Sequence, residues 1–226
     1  MDKHQHNHIY VPKHNEEILT PFGPAIGYKK LSSDFVNFLN KNLDDNLEDF
    51  SNNLVGKVKE EKQFSPQIIK HFVNENYAFI MQYYNACLQR RVMNSEDLPN
   101  DVDYNIQVSA GWYVRQYAGE YNPLHMHTLC TYSCVGYLSV PEKFEEESKE
   151  DYKDHYPAHG HLQFTNGPST SMDSVGFMIK PKVGDFFIFP SSLLHCVYPF
   201  YCEGERRSFS VNFDIIHLQH CKTRQH

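Results

Sequence analysis

The chain of 226 residues has none of the local signals of a membrane-spanning or secreted protein. No stretch approaches the ~18 uninterrupted apolar residues that a membrane helix needs. The N-terminal MDKHQHNHIY has no apolar h-region of a signal peptide. There is no CxxC pair, which argues against a zinc ribbon. With no secretion signal, Cys87, Cys130, Cys134, Cys196, Cys202 and Cys221 are expected as reduced thiols. Basic residues are in deficit, 21 Lys+Arg against 28 Asp+Glu, for a net charge of −7. Nucleic-acid binding therefore lacks its electrostatic footprint. Apolar material is not scarce: 40% of residues are hydrophobic, and 16 Phe, 15 Tyr and 1 Trp supply much of it. Such a composition argues against a disordered chain, and the length suits one large domain or one domain with an extension.

The first 15 residues form a polar tail containing His4, His6, His8 and His14, expected to be solvated. In LSSDFVNFLNKNL, Leu31, Phe35, Phe38 and Leu39 recur at helical spacing behind a Ser32 or Ser33 cap. A second helix is expected over SPQIIKHFVNENYAFIMQYYNACLQRRV, capped by Ser65 with Pro66 at its first position. Its apolar side is read as Ile69, Phe72, Tyr77, Ile80 and Tyr84. From about residue 104 the pattern changes to some eight short runs rich in aromatic and β-branched residues, divided by Gly, Pro, Asn or Asp. That spacing predicts a β-sandwich or barrel, and helices preceding strands make the fold class α+β with the helices outside the sheets. The charged segment 142–154 is read as an exposed loop.

Three features in the strand-rich half carry chemistry. In PLHMH, an extended backbone turns His125 and His127 to one side and Met126 to the other. His195, after DFFIFPSSLL, supplies a third imidazole from a distant strand, and three protein ligands with open positions describe a catalytic metal site. Ligands to one ion would hold their nitrogens about 3–3.5 Å apart. In ERRSFSVNF, strand alternation puts Arg206, Ser208, Ser210 and Asn212 on one face, with Arg207, Phe209, Val211 and Phe213 on the other. Such a polar row suits either a polar cavity or a wet sheet face. Arg206 with Ser208 is equipped to grip a carboxylate through a bidentate fork and a hydroxyl. A competing pair, His159 and His161 near His155, follows the charged loop and is interrupted by Gly160.

In combination and order, PFGPAIG (21–27), NLVGKVKEE (53–61), HMHTLCTYSCVGYL (125–138), GHLQF (160–164), PKVGDFFIFPSSLLH (181–195) and RRSFSVNF (206–213) resemble the 2-oxoglutarate/Fe(II)-dependent oxygenases, and more nearly those of marine-phage type. The resemblance implies a double-stranded β-helix, a cupin-like jelly-roll. It further implies Fe(II), 2-oxoglutarate and O₂ as cofactor and co-substrates. Residue by residue it implies His125, His127 and His195 as metal ligands, with His127 standing where most of the superfamily has Asp or Glu. Arg206 and Ser208 match the pair that binds the far carboxylate of 2-oxoglutarate, and Tyr117 a tyrosine that touches it. The implied activity is a hydroxylase-type dioxygenase releasing succinate and CO₂, located in the cytoplasm (of a host cell, if viral). Its substrate would be a protein side chain or a small metabolite, with no membrane and no nucleic acid. The expected organisation is a tail over 1–15, a helical support region over 16–103, the core over 104–216 and a C-terminal tail over 217–226. Two other readings stay open: a non-catalytic jelly-roll binding or virion module, and a three-His zinc or manganese enzyme of cupin type.

Overall fold

Short apolar runs punctuated by turn residues commit much of the C-terminal half to strands that hydrogen-bond to distant partners. The structure, a computed structural model, describes residues 12, 14–19, 23–43, 47–91, 103–146, 158–167 and 175–218. Along them run β1 (Glu16–Leu19), β2 (Ile26–Lys30), α1 (Ser33–Asn42), β3 (Glu60–Gln63), α2 (Pro66–Arg91), β4 (Asp103–Gln116), β5 (Asn122–His125), β6 (Tyr132–Ser139), β7 (Leu162–Thr165), β8 (Gly176–Ile179), β9 (Asp185–Pro190), β10 (Leu194–Val197) and β11 (Arg206–Leu218). Seven strands form one antiparallel sheet in the order β1-β2-β9-β6-β11-β4-β3, and four form another in the order β5-β10-β7-β8. The two together are the double-stranded β-helix.

Both helices begin where their caps dictate. The Ser32 hydroxyl accepts the Phe35 N–H at 3.2 Å and the Ser65 hydroxyl accepts the Ile68 N–H at 3.4 Å, relieving N–H groups that have no partner within the helix. On α2, Ile68, Phe72, Phe79, Ile80 and Tyr83 are buried. Tyr77, expected on the apolar side, is instead exposed and donates to the Tyr104 carbonyl at 3.4 Å. The face that meets the sheet is rotated away from it, because the sheet and not the helix chooses which stripe is covered.

The helices seal one face of the seven-stranded sheet. There the Phe209 ring contacts Phe35, Phe64, Phe72 and Phe186 at centroid distances of 6.0–6.4 Å. Gly136, directly beside it on β6, leaves room for that ring: a Cβ there would stand 2.3 Å from it. A second core, including Tyr28, Phe164, Phe187 and Phe189, fills the space between the sheets. The region 16–103 is not helical support alone, since β1, β2 and β3 extend both edges of the large sheet. Those strands are four or five residues long, and β3 reads EEKQ; none of the three is long enough to show an apolar alternation that betrays a strand. Of the charged loop, 142–146 are described and form turns. The His-rich segment 1–11 and residues 219–226 lie outside the described residues.

Candidate active site

Each sheet brings one half of the site to a cavity of about 540 Å³. On the small sheet, β5 and β10 pair so that His125 and His195 are direct cross-strand partners, which brings their rings to a centroid distance of 4.3 Å. His127 follows β5 in a loop anchored by its own N–H, which donates to the Ser191 carbonyl at 2.9 Å. Ser191 in turn donates through its hydroxyl to the Cys130 carbonyl at 2.6 Å. The loop after β5 is thus fastened to the turn after β9. The three imidazoles offer nitrogens that all lie within 4.8 Å of one another, and His127 Nε2 stands 3.2 Å from His195 Nε2.

The donor chemistry fits a metal. His125 Nδ1 and His195 Nδ1 face the carbonyls of Pro123 (2.7 Å) and Leu193 (2.9 Å). A carbonyl only accepts, so each Nδ1 carries the proton and each Nε2 lone pair is left for an ion, the usual way outer contacts orient a ligating imidazole. Burial pushes His195 down to about 3 and His127 to about 4, with neighbouring histidines adding to the effect. His125 is lowered as well, by burial first. All three rings are therefore neutral at physiological pH, as ligation requires. Aromatic rings enclose them: Phe189 lies 4.9 Å and Phe164 5.9 Å from His195, and Trp112 lies 5.8 Å from His127.

On the large sheet, Arg206, Ser208, Ser210 and Asn212 of β11 all line the cavity. Arg207 points away, to Glu205 (2.9 Å) and Asn40 (2.8 Å). Arg206 is 1% exposed. It donates to the Gly160 carbonyl at 2.6 Å and to the Gln116 side-chain oxygen, its ring neighbour is Phe200, and its Nε has no partner. Among the described residues no carboxylate pairs with it, and burial holds it down at about 10, still charged at neutral pH. Gly160, which separates the two histidines of the competing pair, has φ +67° with Phe144 where a Cβ would be. It serves to hold Arg206, and His159 and His161 join no three-ligand group among the described residues.

Tyr117 is the residue that the geometry does not bring in. β4 ends at Gln116, and alternation sends Gln116 inward and Tyr117 outward, beside Arg115, whose guanidinium lies 6.0 Å from its ring. The resemblance did not register this parity. Tyr137 was missed. It stands opposite Ser208 in the β6–β11 pairing and lines the cavity, with its hydroxyl buried and without a partner; burial pushes it up to about 12. Alternation along β6 contained that signal, had the register to β11 been known. Glu61 of β3 was also missed, since nothing local marks EEKQ as a cavity strand.

Residues 110–212 match the model of the family described as "Putative 2OG-Fe(II) oxygenase". No curated protein sequence matches the chain. Among solved structures, HygX from Streptomyces hygroscopicus with nickel, 2-oxoglutarate and hygromycin B bound is similar with a TM-score of 0.50 at 13% identity, over 83% of this chain and 82% of that one. The viral collagen prolyl hydroxylase of Paramecium Bursaria Chlorella virus-1 is similar at 0.48 and 15% identity, over 89% and 96% of the two chains. A Pseudomonas putida prolyl-4-hydroxylase is similar at 0.47 and 16% identity, over 89% and 92%. At 13% identity the likeness to HygX is one of fold.

Proposed function

We propose, from the premise that residues 110–212 are a domain of the 2OG-Fe(II) oxygenase family, that His125, His127 and His195 hold the Fe(II) and that Arg206, Ser208 and Tyr137 receive the far carboxylate of 2-oxoglutarate. The observation that carries this reading is the buried, uncompensated charge of Arg206. A desolvated ion without a counter-ion costs several kcal/mol, and a guanidinium fork with a neighbouring hydroxyl is shaped to recover that cost from a carboxylate. Tyr137, with its unpartnered hydroxyl beside Ser208, takes the part that the resemblance implied for Tyr117. The reaction proposed is hydroxylation: 2-oxoglutarate loses CO₂ and becomes succinate with one atom of O₂, and the other atom enters a substrate C–H bond as a hydroxyl. Fe(II), when bound, supplies the activation of O₂ that couples the two halves. The protein's own residues orient the co-substrate and keep water from the ligands with the rings of Phe164, Phe189 and Trp112. The substrate class of the wider reading is a protein side chain or a small metabolite.

Anaerobic titration of the Fe(II)-loaded protein with 2-oxoglutarate tests this, read by the visible charge-transfer absorption of a chelated 2-oxo acid. The band is expected in the natural protein and in His161→Ala, and absent in His195→Ala. Undiminished iron binding by His195→Ala would overturn the ligand assignment. Oxoglutarate-dependent succinate formation with iron, and none with zinc, separates the oxygenase from a three-His zinc enzyme.

A further inference from the structure

Glu61 enters the cavity from β3, the edge strand of the large sheet, two places from β11. On β3, alternation sends Glu60 outward, where its carboxylate meets Arg115 at 3.1 Å, and Glu61 inward, where it is 4% exposed and lines the cavity. Its carboxyl makes no hydrogen bond and no ion pair among the described residues. Burial first, and then the negative charges of Asp49 and Glu120, push Glu61 up to about 7. Glu61 is outside the three-His cluster, so it does not restore the carboxylate that His127 replaces. The adjoining wall is aromatic: Phe50 and Trp112 both line the cavity with ring centroids 5.6 Å apart.

A buried carboxyl with no partner and two aromatic faces beside it form a receptor for a positive charge, since acids are buried when paired and ring faces attract cations. The register places this receptor away from the oxoglutarate end. Ser208 is opposite Val114 on β4, and Val114 is opposite Glu61 on β3, so Glu61 stands two strands, about 10 Å, from Ser208. An anion and a cation are thus accommodated at separate places in one cavity. Resting on the oxygenase reading above, we infer that the primary substrate carries a cationic nitrogen, an ammonium or guanidinium group, which Glu61 receives beside the rings of Trp112 and Phe50.

Trp112 is the sole tryptophan of the chain, so its fluorescence reports on this end of the cavity. The test titrates the anaerobic protein, loaded with Fe(II) and 2-oxoglutarate, with n-butylammonium, n-butylguanidinium, n-butanol and butyrate. Both cations are expected to bind at least about tenfold more tightly than the alcohol, and butyrate most weakly. Glu61→Gln, which keeps size and removes charge, should bring cation and alcohol to within about twofold of each other. Equal binding of n-butylammonium and n-butanol by the natural protein overturns the inference without any variant, and so does an undiminished cation preference in a folded Glu61→Gln. The charge-transfer titration on the same samples separates the two claims. Normal oxoglutarate binding without cation preference sinks this inference alone, whereas failure of oxoglutarate to bind sinks the reading beneath it.

Discussion

The two faces of the seven-stranded sheet are made by alternate residues of the same strands, yet they solve opposite problems. Toward the helices, β11 presents Phe209, Val211 and Phe213, each fully buried among rings and aliphatic chains. Toward the cavity it presents Arg206, Ser208, Ser210 and Asn212, and there the polar groups are incompletely satisfied: the Tyr137 hydroxyl and Arg206 Nε have no partner. The first face gains stability from removing apolar surface from water. The second gives some of it up by burying a charge without a counter-ion and a hydroxyl without a partner. Stability and function are divided along one strand with a period of two.

The sharpest test of that division is Phe209→Ala. It should lower the unfolding free energy by about 3–5 kcal/mol, the usual loss for a buried aromatic ring. Ser210→Ala, one residue on and facing the cavity, should change it by no more than about 0.5 kcal/mol. Equal effects in urea denaturation would erase the distinction between the faces.

Arg206 extends the comparison to opposite signs. Arg206→Ala should weaken oxoglutarate binding by about 2–5 kcal/mol, the cost of removing one partner of an enclosed charge pair, and hence at least tenfold. Arg206→Lys should rescue only part, because an ammonium lacks the bidentate fork. In the absence of ligand, however, Arg206→Met should leave the unfolding free energy equal to or above that of the natural protein, since it removes a buried charge that nothing pairs. A large loss of ligand-free stability would show that Arg206 belongs to the core. Next in size, Ser208→Ala should cost about 1.5–3 kcal/mol of oxoglutarate affinity, one hydrogen bond to a charged group. Arg207→Ala, on the outer face, should leave affinity almost unchanged. A strong Arg207 effect beside a silent Arg206 would reverse the register.

Glu61 adds a dependence on pH that the helix-side face lacks. Its acidity in the folded protein, near 7, is weaker than the ordinary 4.5 of the unfolded chain. The unfolded state therefore releases the proton first, and stability falls as pH rises from about 4.5 through 7. Glu61→Gln should remove this slope. The variant should equal the natural protein near pH 4 and exceed it by roughly 1–2 kcal/mol at pH 8, allowing for water in the cavity. Thermal unfolding across that range checks it, and parallel curves for the two proteins would refute it.

Much of this was legible because the informative rules are local. Ser32, Ser65 and Pro66 announce the helix starts, since a cap needs only the next few N–H groups. Alternation puts Arg206 and Arg207 on opposite faces with no knowledge of the rest of the fold. The spacing in HMH likewise marks two imidazoles for one ion, and they do meet His195, while Met126, 53% exposed, sits between them on the rim of the same cavity. Tyr77 failed because the amphipathic stripe of a helix is broad and the sheet selects which part of it is covered. Tyr117 lies outside the cavity because it follows the end of β4 at Gln116, where parity turns it to the outer side beside Arg115.

By itself the sequence determined the strand-rich core, the two capped helices, the three histidines as a candidate ligand set and the sidedness of β11, all of which follow from backbone geometry within a few residues. Only the tertiary structure decided that β1, β2 and β3 join the large sheet, that His125 and His195 are cross-strand partners, that Tyr137 faces Ser208, and that Glu61 enters the same cavity two strands from Ser208. Each of those depends on a hydrogen-bonded register between segments far apart in the chain. A shift of one residue in such a register turns every side chain of a strand to its other face, so it is selected by the packing of the whole molecule and written in no single segment.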